Sequence, residues 1–516
     1  MMSSARNLSV SPRVALAAVP FLLAASVQAY TRSQYSYNGL AQTPQMGWDN
    51  WNAFGCAVSA DLLEEQARLI VALGLRDLGY TYVVLDDCWS AGRNDQGVLV
   101  PDATKFPRGM AAVADGLHAQ GLRFGMYSSA GRYTCGMYEG SLGHEAVDAR
   151  TWAAWGVDYL KYDNCFNTGQ AGTQALSAAR FRVMSDALAA SGRAMLYALC
   201  NWGEDYPWNW ASTQANSWRI SGDVYDSYDR PDDRCPCDGE DAFNCGLPGF
   251  HCSTLNIINK ASFVVSKAQP GAWNDLDMLT VGLGGQTDAE YVSQFSLWSA
   301  VKSPLINGAD FTRIHPLSLS ILTTAAVIAV NQDPLGSSAA RRWLRKSADE
   351  LDAWGRPATQ QLWAGSLNST TGQEADAVVV LLNGHAEPAA MEASLADIFI
   401  DGGTAGTAPQ ANMAWEVRDL WAYRMSEAEA TALLARANAT VGGHGLMAPG
   451  YNTTSHYYNA TQMSYAEGLE HRSELLLGKV IGTVQPQGSI TATVEGHGAA
   501  MFRLRALADP PRMREL

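Results

Sequence analysis

Five aspartates stand at the ends of short apolar runs in the first half of the chain. They are Asp49 behind Trp48, Asp86 and Asp87 together, Asp163 two residues after Lys161, and Asp223 four residues after Arg219. Two carboxylates facing each other across a cleft can break a glycosidic bond, one as nucleophile or base and the other as proton donor. A separation of about 5–5.5 Å gives retention of configuration, and about 6.5–9.5 Å gives inversion. Carboxylates also accept hydroxyl protons, and an indole stacks on the C–H face of a sugar ring. Of the 16 tryptophans, Trp48 and Trp202 are the two placed for that. A lone aspartate after a strand serves more simply as a helix cap or turn residue. Asp86-Asp87 resists that reading, because adjacent like charges in a half-buried site destabilise each other unless donors surround them. A metal is the other use for an acidic cluster, but none of the nine histidines falls at these ends. Carboxylates alone would hold a hard cation; the expectation is that no metal and no cofactor takes part.

These groups act together only if a scaffold brings their run ends to one place. Eight β-prone runs alternate with helical stretches, at residues 45–48, 81–86, 123–128, 157–163, 194–200, 217–223, 272–279 and 303–307. Apolar, β-branched runs separated by helices predict parallel strands covered on both faces. Between the first two, Ser59 and Asp61 can cap a helix, Leu62, Leu63, Ile70 and Val71 recur at helical spacing, and Gly74 ends it. Eight β-then-α units predict a (β/α)8 barrel, whose reacting groups project from the C-terminal strand ends. An open doubly wound sheet is the rival, but no glycine-rich phosphate loop follows the first run. After Pro334-Leu335-Gly336 the texture changes. Runs at 377–383, 413–417, 478–484 and 489–494 read as strands without helices between them, with a helix-prone then polar stretch at 426–465 as an insertion. The reading is therefore α/β: a barrel over residues 30–335, then an antiparallel β-sandwich over 336–516.

Residues 1–29 form no part of that fold. Arg6 and Arg13 precede the largely apolar stretch from Val14 to Val27, and Val27-Gln28-Ala29 offers small residues at −3 and −1. That pattern reads as a secretory signal cut before Tyr30, and it is shorter than the roughly 20 apolar residues of a membrane anchor. Sequons at Asn368, Asn438, Asn452 and Asn459 fit a secreted, extracellular glycoprotein. No membrane partner is expected. The formal net charge of −15 argues against a nucleic-acid partner, which requires a basic face. Nine cysteines in an oxidising route leave at least one unpaired. Oligomeric state is not legible.

At these residues the chain resembles a known family. Thr43-Pro-Gln-Met-Gly-Trp-Asp-Asn-Trp-Asn52, Leu85-Asp-Asp-Cys-Trp89, Leu160-Lys-Tyr-Asp-Asn-Cys165, Trp218-Arg-Ile-Ser-Gly-Asp223 and Gly271-Ala-Trp-Asn-Asp-Leu-Asp-Met278 are similar, in order, to the α-galactosidases (melibiases) of glycoside hydrolase family 27. Val327-Ile-Ala-Val-Asn-Gln-Asp-Pro-Leu-Gly336 resembles the family's exit from the barrel. The resemblance implies release of terminal α-linked galactose from oligosaccharides or polysaccharide side chains by a retaining double displacement. It makes Asp163 the nucleophile and Asp223 the acid/base. It places Asp86 and Asp87 on the O4/O6 edge of galactose, Lys161 and Arg219 on the O2–O4 side, and Trp48 beneath the ring. Electrostatics adds an expectation of its own: Lys161 should keep Asp163 ionised, and the surroundings of Asp223 should raise its pKa.

The same resemblance pairs Cys56 with Cys88 and Cys135 with Cys165. In the insert at 225–252 it suggests nested pairs, Cys235 with Cys252 and Cys237 with Cys245, with a zinc site as the alternative for those four. Cys200 is then a buried thiol. One departure stands out. Many family members carry Glu after the cysteine that ends the fifth strand, near the sugar's 2-position; here Asn201 and Trp202 follow Cys200. A crowded loop there favours a plain 2-hydroxyl. The rivals are an α-N-acetylgalactosaminidase, a β-L-arabinopyranosidase and a non-catalytic galactose lectin, the last disfavoured because both aspartates are present.

Overall fold

The computed structural model describes residues 37–507, except 231–233, 238, 242–244, 247–248, 353–354, 373–374, 401–407 and 442–457. The proposed leader and Asn452 lie outside the described residues. Eight strands appear in the predicted order: β1 (Met46–Asp49), β2 (Tyr82–Val84), β3 (Arg123–Ser129), β4 (Tyr159–Asp163), β5 (Leu196–Cys200), β6 (Ser217–Arg219), β7 (Trp273–Asp275) and β8 (Leu305–Asn307). All neighbours pair in parallel, in the ring order β8-β1-β2-β3-β4-β5-β6-β7. The seam between β7 and β8 is joined just past β7. There Leu279 bridges Asn307 in parallel and its N–H donates to the Ile306 carbonyl at 2.7 Å.

Local signals account for the helices. Ser59 caps the helix Ala60–Ala72 by accepting from the Leu62 N–H; Asp61 sits in its first turn, and Leu63, Ala67 and Ile70 face the core. Capping boxes start Thr254–Ala261 at Ser253 and Asp288–Ala300 at Thr287. The eightfold repeat lapses once. Between β5 and β6 lie only the 3₁₀ turns Pro207–Asn209 and Ala211–Thr213. At 16 residues, 201–216 is the shortest of the seven connections between barrel strands.

The chain then forms a six-stranded antiparallel sheet: β9 (Ala340–Leu351), β10 (Pro357–Leu367), β11 (Asp376–Asn383), β13 (Trp415–Asp419), β14 (Lys479–Val484) and β16 (Ala499–Ala506), in the order β9-β10-β11-β16-β13-β14. Strands β12 (Ala389–Ser394) and β15 (Ser489–Val494) pair as a separate ribbon. Strand β11 is buried along its whole length, and its alternate residues show why. Val378, Val380 and Leu382 belong to the core shared with the barrel helices. Ala377, Val379 and Leu381 pack with Met391, Ala393, Ile490 and Val494 of the ribbon. The insertion expected at 426–465 contains the helix Glu427–Val441. Four disulfides join Cys56–Cys88, Cys135–Cys165, Cys235–Cys252 and Cys237–Cys245, and Cys200 is a buried thiol.

Candidate active site

The C-terminal strand ends surround a small open cavity lined by Trp51, Asn52, Asp86, Tyr127, Cys135, Lys161, Asp163, Trp202, Arg219, Asp223, Asp277 and Met278. Its geometry rests on two cations, the buried Arg219 and the partly buried Lys161. The Lys161 ammonium donates to Asp86 at 2.6 Å and lies 3.9 Å from Asp49. Burial opposes its charge, but Asp86 and Asp49 outweigh burial and hold the ammonium well above the ordinary lysine range. Arg219 lies 3.0 Å from Asp223 and 2.9 Å from Asp277.

Asp163 ends β4 and is 6 % exposed. It accepts from the Tyr127 hydroxyl at 2.9 Å and the Asn164 N–H at 2.8 Å. Burial pushes its carboxyl up to about 7 against Lys161, with the charge of Asp223 adding to the rise. Asp223 is different: its side chain is 49 % exposed. Burial of its surroundings raises its pKa, but Arg219 and Lys161 prevail and hold it below the usual carboxylate range. The expected order of the two groups is therefore reversed. Lys161 lies two residues from Asp163 in sequence, yet its ammonium is engaged by Asp86, while the guanidinium that decides Asp223's charge comes from its own segment.

A carboxyl at about 7 that titrates near 4 when unfolded makes the native state bind more protons between those values. The native state thus loses stability as pH rises from 4 to 7, at most on the order of 4 kcal/mol for Asp163. Asp163→Asn removes that loss. Its melting temperature should exceed wild type's at pH 8 and match it at pH 4; equal melting at both would contradict a strained carboxylate.

Of the residues singled out from sequence, Asp86, Lys161, Asp163, Trp202, Arg219 and Asp223 line this cavity. Trp48, expected beneath the sugar, is fully buried against Phe54, with its indole N–H donating to Ala309; Trp51, three residues on, lines the cavity. Asp87 braces the wall, accepting from the Cys88 and Gly136 N–H groups at 2.7 Å each. Gly136 permits that approach, since a Cβ there would stand 2.9 Å from the Asp87 carboxylate. Asn201 is buried and donates to the Glu204 carbonyl, so it supports the loop that carries Trp202. Tyr127, Asn52, Asp277 and Met278 line the cavity without having been assigned a part from sequence. The Asp-Met pair of Gly271–Met278 was a visible signal for the last two. Among the described residues, Cys135, Asp163 and Cys165 are the one group spaced for a metal. Both sulfurs belong to one disulfide, so neither offers a thiolate.

Residues 43–234 and 251–333 match the family described as alpha galactosidase A, and residues 358–448 match the alpha galactosidase C-terminal beta sandwich domain. The chain belongs to the α-galactosidase family. An α-galactosidase of Lachancea cidri is 51% identical over 470 residues, covering 91% of this chain and 95% of that protein. The structure of an α-galactosidase from Saccharomyces cerevisiae with raffinose superposes with a TM-score of 0.84 at 48% identity, covering 92% of this chain and 99% of that one. Alpha-galactosidase I from Mortierella vinacea gives 0.71 at 42% identity, covering 90% and 98%. In this α-galactosidase scaffold the residues lining the cavity include Asp86, Asp163, Asp223 and Asp277 and no histidine.

Proposed function

We propose that this chain is a retaining α-galactosidase, with Asp163 attacking the anomeric carbon and Asp223 donating a proton to the leaving oxygen. The observation that carries the reading is a pair of carboxylates on one cavity, one buried at a strand end and the other half-exposed on an arginine. Asp86 and Lys161, locked together at 2.6 Å, offer acceptor and donor side by side to sugar hydroxyls. Attack by Asp163 gives a β-linked galactosyl-enzyme; water activated by Asp223 then releases α-galactose. Trp202, held at φ 59 on the wall, crowds the cavity in keeping with a plain hydroxyl at the 2-position. Activity on nitrophenyl α-galactoside, measured beside the α-N-acetylgalactosaminide and the β-L-arabinopyranoside, tests the substrate. Proton NMR tests the stereochemistry, and β-galactose as the first-formed sugar would refute the double displacement.

The pair works holding a single proton. Asp163 is pushed to about 7 and Asp223 is held below the usual range, so one proton rests on the pair between those limits, mostly on Asp163. The productive form, with Asp163 ionised and Asp223 protonated, is the minor partner of that equilibrium. For a poor leaving group such as methanol, kcat/KM should therefore be bell-shaped, falling on the alkaline side near pH 7 and on the acid side below about pH 4. A plateau extending beyond pH 9 would contradict it.

Residues 1–29 act in this reading as a cleaved secretory signal. Four disulfides, exposed Asn368 and Asn438, and the lack among the described residues of any helix long and apolar enough to cross a membrane all agree with an extracellular glycoprotein.

A further inference from the structure

Arg219 meets two carboxylates, and the proposed mechanism uses only one of them. A single guanidinium nitrogen, Nη2, lies 3.0 Å from Asp223 Oδ1 and 2.9 Å from Asp277 Oδ2. The same Asp277 oxygen accepts the N–H of Val224, the residue that follows Asp223, at 2.7 Å. Asp277 thus grips both the cation of Asp223 and its adjoining backbone. Its own placement is over-determined. At φ 74 it occupies the left-handed region that residues with a side chain seldom adopt. Its N–H donates to Asp275 at 2.8 Å, and its carbonyl accepts the Trp298 indole N–H at 2.9 Å. Asp275 is in turn paired in register with Arg219 across the β6–β7 ladder.

We propose that Asp277 is a positioning residue for the acid/base: it divides Arg219 with Asp223 and clasps the Val224 backbone, fixing the Asp223 carboxyl over the cavity and keeping Arg219 from claiming it whole. The proposal rests on the reading of Asp223 as acid/base. Groups of both signs face this cluster: Arg219 and Asp223 from the β6 segment, Lys161 and Asp163 from β4, the Cys200 thiol from β5, Asp275 from β7, and His251 toward Asp223. If the charge of Asp277 is removed, Arg219 turns wholly to Asp223, which then gives up its proton more readily. Each tenfold shift in that balance costs tenfold in protonated Asp223.

The test compares Asp277→Asn and Asp277→Ser with wild type on methyl α-galactoside, whose leaving group needs a proton, and on nitrophenyl α-galactoside, whose leaving group needs little. In both variants the ratio of the two kcat/KM values should fall against the methyl glycoside by about tenfold or more. For the methyl glycoside the acid limb should move to lower pH, while the alkaline limb, set by Asp163, stays in place. Equal losses on the two substrates, or no loss, would overturn the proposal. Failure of both variants to reach the native near-ultraviolet circular dichroism would also overturn it, since Asp277 would then be needed for folding alone. The underlying assignment is judged separately, in protein with Asp277 intact, by the product that Asp223→Ala forms with azide.

Discussion

Asp163→Ala is expected to lose activity on every α-galactoside, on the order of 10⁴-fold or more, because no leaving group compensates for a missing nucleophile. Asp223→Ala should behave differently. On methyl α-galactoside it loses the roughly 10²–10⁴-fold that a proton donor contributes. Nitrophenolate departs with little help, so the galactosyl-enzyme still forms on the activated substrate and its hydrolysis becomes slow. Azide attacks without needing deprotonation. In Asp223→Ala it meets a β-linked intermediate from the opposite face and gives α-galactosyl azide. In Asp163→Ala it occupies the space left beside Tyr127 and Asn164, displaces the leaving group once and gives the β-azide. Exchanged products would mean exchanged roles, and correctly folded variants that azide fails to rescue would contradict both assignments. Loss of the Asp223 charge also lowers the Asp163 pKa from about 7, since that charge contributes to the rise. Formation of the intermediate in Asp223→Ala should therefore reach its plateau at a lower pH than in wild type.

The barrel was legible because its eight strands are short apolar runs, several of them followed by a residue with chemistry. The later sheet was legible only in part. Strand β9 carries Arg341, Arg342, Arg345, Lys346, Asp349 and Glu350, a charged run that reads as solvated surface. It is the edge of its sheet, where charge is tolerated and discourages further pairing. Strand β16 hid for the opposite reason. Arg503 and Arg505 look like surface residues, yet Arg503 is fully buried 3.0 Å from Asp376 and Arg505 meets Glu416 at 3.1 Å. Such partners, more than a hundred residues away in one case, leave no local pattern. The site divides in the same way. Residue types at strand ends identified Asp86, Lys161, Asp163, Arg219 and Asp223. Partnership went astray, because spacing along a strand placed Lys161 beside Asp163 while the barrel delivers its ammonium to Asp86. The choice between Trp48 and Trp51 turned on strand direction: the residue that ends the run points into the core, and the first turn after it faces the cavity.

Removing Lys161 should carry a large structural effect. It is the ammonium between Asp86 and Asp49, each of whose side chains is only 3 % exposed. Breaking a buried pair by removing one partner typically costs about 3–5 kcal/mol, because the remaining charge has neither water nor counter-ion. Lys161→Met should show that loss at pH 8. Asp49 already stands well above the ordinary range through burial and the charge of Asp86, held down in part by Lys161. Without Lys161 it rises further, so the folded state takes up a proton that the unfolded state releases, and the deficit shrinks as pH falls toward 4. Activity should suffer in parallel, since Lys161 also restrains the rise of Asp163 above about 7. Adding Asp86→Asn separates the two effects. It takes away an uncompensated charge, so denaturant melts of Lys161→Met/Asp86→Asn should recover stability relative to the single variant. Activity should not return, because the ammonium donor and the charged acceptor that the proposed function assigns to the sugar are both lost. Lys161→Met as stable as wild type at pH 8 would show that the ammonium does not hold these carboxylates together. A double variant with restored kcat/KM would show that the pair has no part in binding galactose.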